Sequence, residues 1–472
     1  MIIEENDIII ELIALYRECF ATDCKPEVVA LPRAGGDRRY FRISGEPGVC
    51  IGTYSPDEAE GRSFVSLSRS LRAAGACVPR VLACSGNYRF YLQEDLGEVS
   101  LFSLLGSSEA KSLVKETLLR LVSMQKVPMQ QWENCCFQKQ FSLRQVMWDL
   151  NYFKYEYLKP SGIVFDEDSL EDDFEHLASD ICCVSEAFFG FMMRDCQSRN
   201  VMVTDDGPMF IDFQGGRKGP VLYDAVSFLW QARAGFSSDF RMEMVECYAL
   251  EFCGGDRVKA KEMLSTLPLI VLFRTLQVLG AYGFRGLVEH RAHFILSIPG
   301  ALSNLRELLL AGAVDSYPEL KRIAEILIKD HRFCKLESSD KTSLSVEVFS
   351  FSYKNGYPDD FSGNGGGFMF DCRAMHNPGR YKQYKELTGR DRAVAEFLEE
   401  RGEVQAFLSS AWSLTDSAVE RYLRRGFTNL QIGFGCTGGQ HRSVYCAEAT
   451  ARHIAAFFPE AKVTLLHREH PE

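Results

Sequence analysis

Asp195, Asn200 and Asp212 are the residues whose types and spacing most directly suggest chemistry. The sequence runs Arg194-Asp195-Cys196-Gln197-Ser198-Arg199-Asn200 and then, after a short apolar stretch, Ile211-Asp212-Phe213. Transfer of a phosphoryl group from ATP to a hydroxyl needs a carboxylate beside the acceptor and oxygen ligands that hold Mg2+ on the nucleotide phosphates. An Asp-x-x-x-x-Asn followed by Asp-Phe supplies all three groups. Such a pair alone recurs by chance, most often as helix caps or turn residues. The flanking residues favour the chemical reading. Residues 186–193 are an apolar run, 200–203 read as a short strand, Asp205-Asp206-Gly207 is a turn signal, and 209–212 read as a returning strand. One hairpin would deliver Asn200 and Asp212 to the same end. A carboxylate placed there needs a cationic partner, and magnesium suits it.

A second cluster lies near the other end of the chain. Gly435-Cys-Thr-Gly-Gly-Gln-His-Arg-Ser443 sits between an apolar run at 430–434 and a helical pattern over 444–457. A strand, a glycine-bearing turn and a helix start carrying Arg442 and Ser443 direct backbone amides, a helix dipole and a guanidinium at one anion, which fits a phosphate. Asp371-Cys372-Arg373 ends another expected strand and would bring Arg373 to the same rim, because ligands of open α/β sheets gather at the strands' carboxyl ends. A different chemistry uses the same residues. Five residues separate Cys436 from Arg442, and Ser443 follows, which is the spacing of cysteine-dependent phosphatases. The alternative is a cysteine that packs beneath the loop.

These groups need elements to hold them. Residues 8–20 read as an amphipathic helix, strands are expected near 28–32, 39–44, 49–54 and 90–94, and a helix spans 58–74. From Ser107 onward helical patterns dominate, over 113–125, 143–157, 172–187, 222–234, 240–252, 267–283 and 301–329. Asp149, Asn151 and Glu156 on the second of these either face a substrate or lie on an exposed helical face. After a polar linker at 337–343 the composition changes. There 346–352 and 368–371 read as strands, 363–367 as a glycine-rich loop, and 392–400 and 405–424 as helices.

Length and composition bound the rest. At 472 residues, 46% hydrophobic and 25% charged, the chain is globular and too long for one ordinary core. Its start, Met1-Ile-Ile-Glu-Glu-Asn-Asp7, is acidic, and the most apolar stretch, 267–284, is interrupted by Arg274, so a cytoplasmic protein with no membrane partner is expected. Of the sixteen cysteines, which form no Cys-x-x-Cys pair, most read as small buried hydrophobes in a reducing compartment. His290-x-x-His293 has no further ligands in reach and reads as surface. The net charge of −11 resides in the first 340 residues, 37 Lys plus Arg against 48 Asp plus Glu, because 341–472 carries 16 of each. A net acidic chain is a poor polyanion binder and suits a small molecule reached through a local cationic pocket.

Asp195-x-x-x-x-Asn200, Ile211-Asp212-Phe213-Gln214 and Gly219-Pro220-x-x-Tyr223-Asp224 resemble the aminoglycoside phosphotransferase and choline kinase superfamily. The nearest resemblance is to bacterial anomeric kinases of N-acetylmuramate and N-acetylglucosamine. It covers about the first 330 residues, with further matches at Asp37-Arg-Arg-Tyr-Phe-Arg42, Gln93-Glu-Asp-Leu-Gly97 and Asp149-Leu-Asn-Tyr-Phe153. The resemblance implies Asp195 as catalytic base and Asn200 and Asp212 as magnesium ligands. It further implies Gly35 and Gly36 as a turn whose amides approach the phosphates of ATP, the alternative being an ordinary hairpin turn. Glu94 and Leu96, at the passage between lobes, would contact the nucleotide. Two residues depart from the pattern. Met193 stands where His is usual, and the strand at 48–53 has no lysine to pair with the phosphates and a helix glutamate. The phosphate charge must then be met otherwise, with Arg38, Arg39 or Arg42 as the candidates.

The loop at 435–445, with Asp371-Cys-Arg373, Asn377-Pro378 and Leu387-Thr-Gly389, resembles the C-terminal domain of RapZ-type proteins over nearly all of 344–472. This implies a sensor of an amino-sugar phosphate, contacted by Arg373, Thr437, Gly438, Gly439, His441, Arg442 and Ser443. Some such proteins bind small RNAs, but the tail here, Leu466-His-Arg-Glu-His-Pro-Glu472, lacks a basic cluster, and RNA is not expected.

The fold class expected is α+β. A bilobal, protein-kinase-like fold would have a small β-rich lobe at 1–96 and a large helical lobe at 97–332. A linker at 333–343 and a separate α/β layered domain at 344–472 would follow. The expected activity is ATP- and Mg2+-dependent phosphorylation of an amino sugar at C1 in cell-wall sugar salvage, coupled to phosphosugar sensing. A nucleotide-gated RNA or protein adaptor without kinase activity, and a Cys-x5-Arg phosphatase in the C-terminal domain, stay open.

Overall fold

The computed structural model describes residues 4–32, 37–136, 141–289, 291–330, 344–358 and 366–470. They form two compact units, Met1–Ala281 with Gly300–Ile328, and Tyr282–Pro299 with Lys329–Glu472. The expected linker lies outside the described residues, as do Gly35, Gly36, His290 and most of the glycine-rich loop at 363–367.

The first unit begins with helix α1 (Glu5–Phe20) and an antiparallel sheet of β1 (Glu27–Ala30), β2 (Arg39–Gly45), β3 (Gly48–Tyr54), β4 (Val81–Cys84) and β5 (Phe90–Glu94), in the order β1-β2-β3-β5-β4. Period-two alternation gives the sheet two faces. Phe41, Ile43, Cys50 and Leu92 pack with Ile8, Leu12 and Tyr16 of α1 in one buried cluster. Helix α2 (Glu58–Ala73) starts at Asp57, whose carboxylate accepts the amides of Ala59 and Glu60 as an N-cap. Its Phe64 stacks on Tyr91 of β5, ring centroids 4.9 Å apart. The strand β4 was not foreseen in the sequence.

Helices dominate the larger lobe, among them α3 (Ala110–Gln125), α4 (Leu143–Phe153), α5 (Glu167–Cys182), α6 (Leu222–Leu229) and α7 (Leu267–Tyr282). Several expected boundaries move. The helix read over 172–187 begins at Glu167, capped by Asp166, and stops at Cys182, because the apolar run after it becomes strand β6 (Phe189–Met192). The helix read over 301–329 is two, Ile298–Leu310 and Pro318–Leu327; Gly312 at φ 72° and Pro318 at a helix start mark the break. The stretch Leu267–Val288, mean hydropathy 1.5, is long and apolar enough by composition to cross a membrane. Most of it is buried inside the protein, as a core helix would be.

Two small hairpin-like pairs carry the site. Strands β7 (Val201–Thr204) and β8 (Gly207–Phe210) pair antiparallel from Val201 opposite Phe210 to Thr204 opposite Gly207, and β6 pairs with β9 (Arg217–Pro220). The turn at Asp205-Asp206 closes on Gly207, φ 94°, where glycine adopts the left-handed backbone without strain.

The second unit contains a parallel sheet, ordered β11-β12-β10-β13, of β10 (Ser345–Ser352), β11 (Gly367–Asp371), β12 (Asn429–Cys436) and β13 (Lys462–His467). Residues 430–436 of β12 are all buried, as a central parallel strand covered on both faces must be. Its helices include α8 (Arg392–Glu399), α9 (Glu403–Arg425) and α10 (Arg442–Phe457). Val346, Val348, Ile432, Phe434, Cys446 and Ile454 share its core.

Candidate functional site

The β7–β8 hairpin assembles the first cluster. Ile211 N–H donates to the Asn200 carbonyl at 2.9 Å, so Asn200 and Asp212 flank the open end of the hairpin. Asn200 Nδ2 donates to Asp212 Oδ2 at 3.4 Å and to the Asp195 carbonyl at 2.8 Å. That orientation leaves the Asn200 side-chain oxygen and the Asp212 carboxylate as the oxygen donors of the group. The Asp195 side chain is 54% exposed, open enough to meet an acceptor hydroxyl, and Arg274 Nη2 lies 3.9 Å from its Oδ1. These two hard oxygen donors fit the chemistry of Mg2+, which takes oxygen ligands. Among the described residues no group of three or more His, Cys, Asp or Glu is arranged to hold a metal.

Asp224 fastens the loop. Fully buried, it accepts the Met193 amide at 2.7 Å, the Arg194 amide at 2.8 Å and Gln125 Nε2 at 3.2 Å. Burial pushes its carboxyl up to about 7, against the pull of these donors. Arg194 has φ 76°, a left-handed conformation that costs a non-glycine residue about 1 kcal/mol or more. The bond to Asp224 holds it there. The Arg194 side chain turns onto buried Asp149, with Nη2 at 2.7 and 2.9 Å from the two carboxylate oxygens. Asp149 therefore supports the loop that carries Asp195. Met193, buried at the position where a polar side chain was expected, contributes its backbone amide.

Asp212 is also left-handed, at φ 64°. The residues after it are tied to α2: Phe213 stacks on Phe64 at 5.0 Å, and Ser63 Oγ donates to the Gln214 carbonyl at 2.9 Å. From the same helix Glu60 faces Arg38, with Nε 3.4 Å from Oε1, while Arg38 Nη2 donates to Asp212. Burial works to depress the Arg38 guanidinium, but Tyr40, Asp212 and Glu60 outweigh it and hold the group charged. The other two candidates are engaged elsewhere. Arg39 pairs with Glu5 at 3.6 Å, and Arg42 pairs with Asp95 at 2.7 Å and with Glu98. A largely buried cation is thus tethered to a helix carboxylate and rests on Asp212.

Glu94 and Leu96 lie outside this connected group. The Glu94 amide donates to the Arg80 carbonyl at 2.9 Å, and its Oε2 accepts the Arg80 amide at 3.0 Å. Asp95, between them, accepts the Gly97 amide at 2.9 Å. Gly35 and Gly36 cannot be placed, being outside the described residues. Sequence reasoning missed the roles of Glu60, Asp149, Asp224 and Arg274. Asp224 and Asp149 did have signals, in Gly219-Pro220-x-x-Tyr223-Asp224 and in Asp149-Leu-Asn-Tyr-Phe153.

In the second unit, β12 ends at Cys436 and α10 begins at Arg442, with the loop between. The Thr437 carbonyl accepts Ser352 Oγ at 2.9 Å, and Gly439 takes φ 67°. Gly438 has open space where a side chain would be. His441 Nε2 donates to the Tyr384 carbonyl at 2.8 Å and so anchors the loop. Arg442 is buried, and its Nη1 donates to the carbonyls of Arg373 and Met375, both at 2.9 Å. Ser443 Oγ lies 3.1 Å from Cys436 Sγ. Arg373 joins the rim by its carbonyl, while its guanidinium is held by Asp371 at 2.7 Å and lies over the Tyr353 ring at 4.0 Å.

Residues 28–261 match the phosphotransferase enzyme family, and residues 344–471 match the RapZ C-terminal domain. A nucleotide-binding protein of Xylella fastidiosa (strain M12) is 34% identical over 182 residues, 38% of this chain and 60% of that protein. The chain thus spans less than two thirds of the length of this curated relative. Among solved structures, an ethanolamine kinase of Plasmodium vivax aligns with TM-score 0.46 and 14% identity, covering 62% of this chain and 85% of the other. A choline kinase of Cryptosporidium parvum aligns with TM-score 0.46 and 13% identity, covering 68% and 100%.

Proposed function

We propose that this chain, whose residues 28–261 belong to the phosphotransferase enzyme family and whose residues 344–471 form a RapZ C-terminal domain, transfers the γ-phosphoryl group of ATP to a hydroxyl of an amino sugar. N-acetylglucosamine or N-acetylmuramate, phosphorylated at C1 in cell-wall sugar salvage, is the acceptor proposed, and the C-terminal unit binds a sugar phosphate at the loop 436–443. The observation that carries the reading is the connected group of Asp195, Asn200 and Asp212, held in place by Asp224.

Asp195 accepts the proton of the acceptor hydroxyl as that oxygen attacks phosphorus. Arg274, whose Nη2 lies 3.9 Å from the carboxylate, helps to orient it. Asn200 and Asp212 would hold Mg2+, which when bound neutralises charge on the transferring phosphates. Arg38, tethered by Glu60, turns from Asp212 onto a phosphate oxygen and takes the place of the absent lysine. Most of the barrier reduction comes from positioning and charge, as expected for a reaction in which the protein forms no covalent bond.

The test is to incubate purified protein, ATP and Mg2+ with a panel of amino sugars and read product position by phosphorus NMR. A new phosphomonoester on an amino sugar is expected. Nucleotide binding without transfer to any sugar would defeat the acceptor assignment.

A further inference from the structure

We propose that the loop 436–443 is itself catalytic: the Cys436 sulfur takes the phosphoryl group of a small phosphomonoester and passes it to water. The proposal rests on reading this loop as a phosphate site, and not on the identity of any sugar.

Cys436 lies at the floor of the loop, 3% exposed, with the Ser443 hydroxyl 3.1 Å from its sulfur. Burial, helped by the neighbouring thiols, pushes the buried Cys372 of the same core well above the ordinary value. Burial acts on Cys436 in the same sense, yet the Ser443 hydroxyl, the amides of Ser443 and Gly438 and the charge of Arg442 together hold its thiol below the ordinary value. Donors converging on sulfur favour the thiolate, which is the nucleophilic form.

Two further atoms point to a ligand. Arg442 is 4% exposed, and while Nη1 is tied to two carbonyls, its Nε is buried with no protein partner. That edge of the guanidinium is suited to phosphate oxygens. Glu469 Oε2 is likewise buried and unpartnered, although Oε1 accepts the Ser352 amide at 3.0 Å. A Cβ placed on Gly439 would stand 2.4 Å from that Oε2, so the carboxyl group forms one wall of the loop, and the space beside Gly438 is open.

The chemistry balances with these groups. The thiolate attacks phosphorus, the S–P bond forms as the P–O ester bond breaks, and the electron pair leaves on the alcohol oxygen, which takes the proton of the Glu469 carboxyl. Water then attacks the phosphocysteine and gives its proton to the Glu469 carboxylate. The S–P bond breaks, inorganic phosphate leaves and the thiolate is restored.

Full-length protein would be assayed for hydrolysis of p-nitrophenyl phosphate and for binding of inorganic phosphate by calorimetry. Wild type is expected to hydrolyse the ester, and Cys436→Ser to lose turnover by on the order of 1000-fold while still binding phosphate. Ser443→Ala removes a donor to sulfur and should move the acidic limb of the kcat/KM profile to higher pH, a shift that a purely structural serine would not cause. If phosphate binds but wild type hydrolyses no faster than Cys436→Ser, the nucleophile is overturned and the phosphate site stands. If phosphate does not bind and no ester is cleaved, both fall.

Discussion

Replacing Arg38 with methionine removes one positive charge from the proposed nucleotide site while keeping a flexible side chain of similar reach. In the ligand-free structure the guanidinium meets two carboxylates, Glu60 at 3.4 Å and Asp212, in a setting where the Arg38 side chain is 10% exposed. A hydrogen bond to a charged group contributes about 1.5–3 kcal/mol, and each 1.4 kcal/mol is a factor of ten. Loss of the corresponding contact to an ATP phosphate should therefore lower kcat/KM for ATP by about 10- to 100-fold. Arg38→Lys should fall between, since one ammonium cannot reach Glu60 and a phosphate with the same fork. Glu60→Gln should cost less than Arg38→Met, and the double variant little more than Arg38→Met alone, because Glu60 acts through Arg38. Steady-state ADP release with ATP varied gives these numbers, and thermal melts separate them from unfolding. An Arg38→Met enzyme with unchanged kcat/KM for ATP, or a larger loss in Arg42→Met, would refute the reasoning.

Asp224→Asn should lower kcat by about 100-fold with KM for ATP little changed, because the new amide nitrogen faces a ring of donors and shifts the loop that carries Asp195. An active enzyme would show that the loop holds itself. Gly61→Ala places a Cβ 2.1 Å from the Tyr88 carbonyl and should destabilise the fold by about 1–3 kcal/mol, read as a lowered thermal midpoint. A midpoint that stays or rises would show that the helix can move away from Tyr88. Arg442→Ala should weaken phosphosugar binding, measured by calorimetry, and leave the kinase turnover unchanged.

The β7–β8 hairpin was legible because its signals are local. A two-residue acidic turn closing on glycine fixes the register of β7 on β8, and that register alone carries Asn200 to Asp212. The same holds for the loop between β12 and α10, where strand, glycines and helix start follow one another. What escaped was either short or non-local. Strand β4 is half-buried along its whole length, and β13 alternates weakly, so neither shows a clear period. The Glu167 start of α5 and the break before Pro318 did carry signals, an Asp cap and a proline at a helix start, which outweighed the apolar pattern. The bonds of Glu60 with Arg38, Asp149 with Arg194 and Asp224 with the loop join residues far apart in sequence, and only packing reveals them.

The central claim is that Asp195 removes the acceptor's proton within a group that binds nucleotide independently of it. Calorimetry of ATP binding, paired with turnover on the same Asp195→Ala sample, tests this most directly. Nucleotide affinity close to wild type with sugar phosphorylation abolished is the result expected, and sugar phosphorylation persisting in that variant would contradict it.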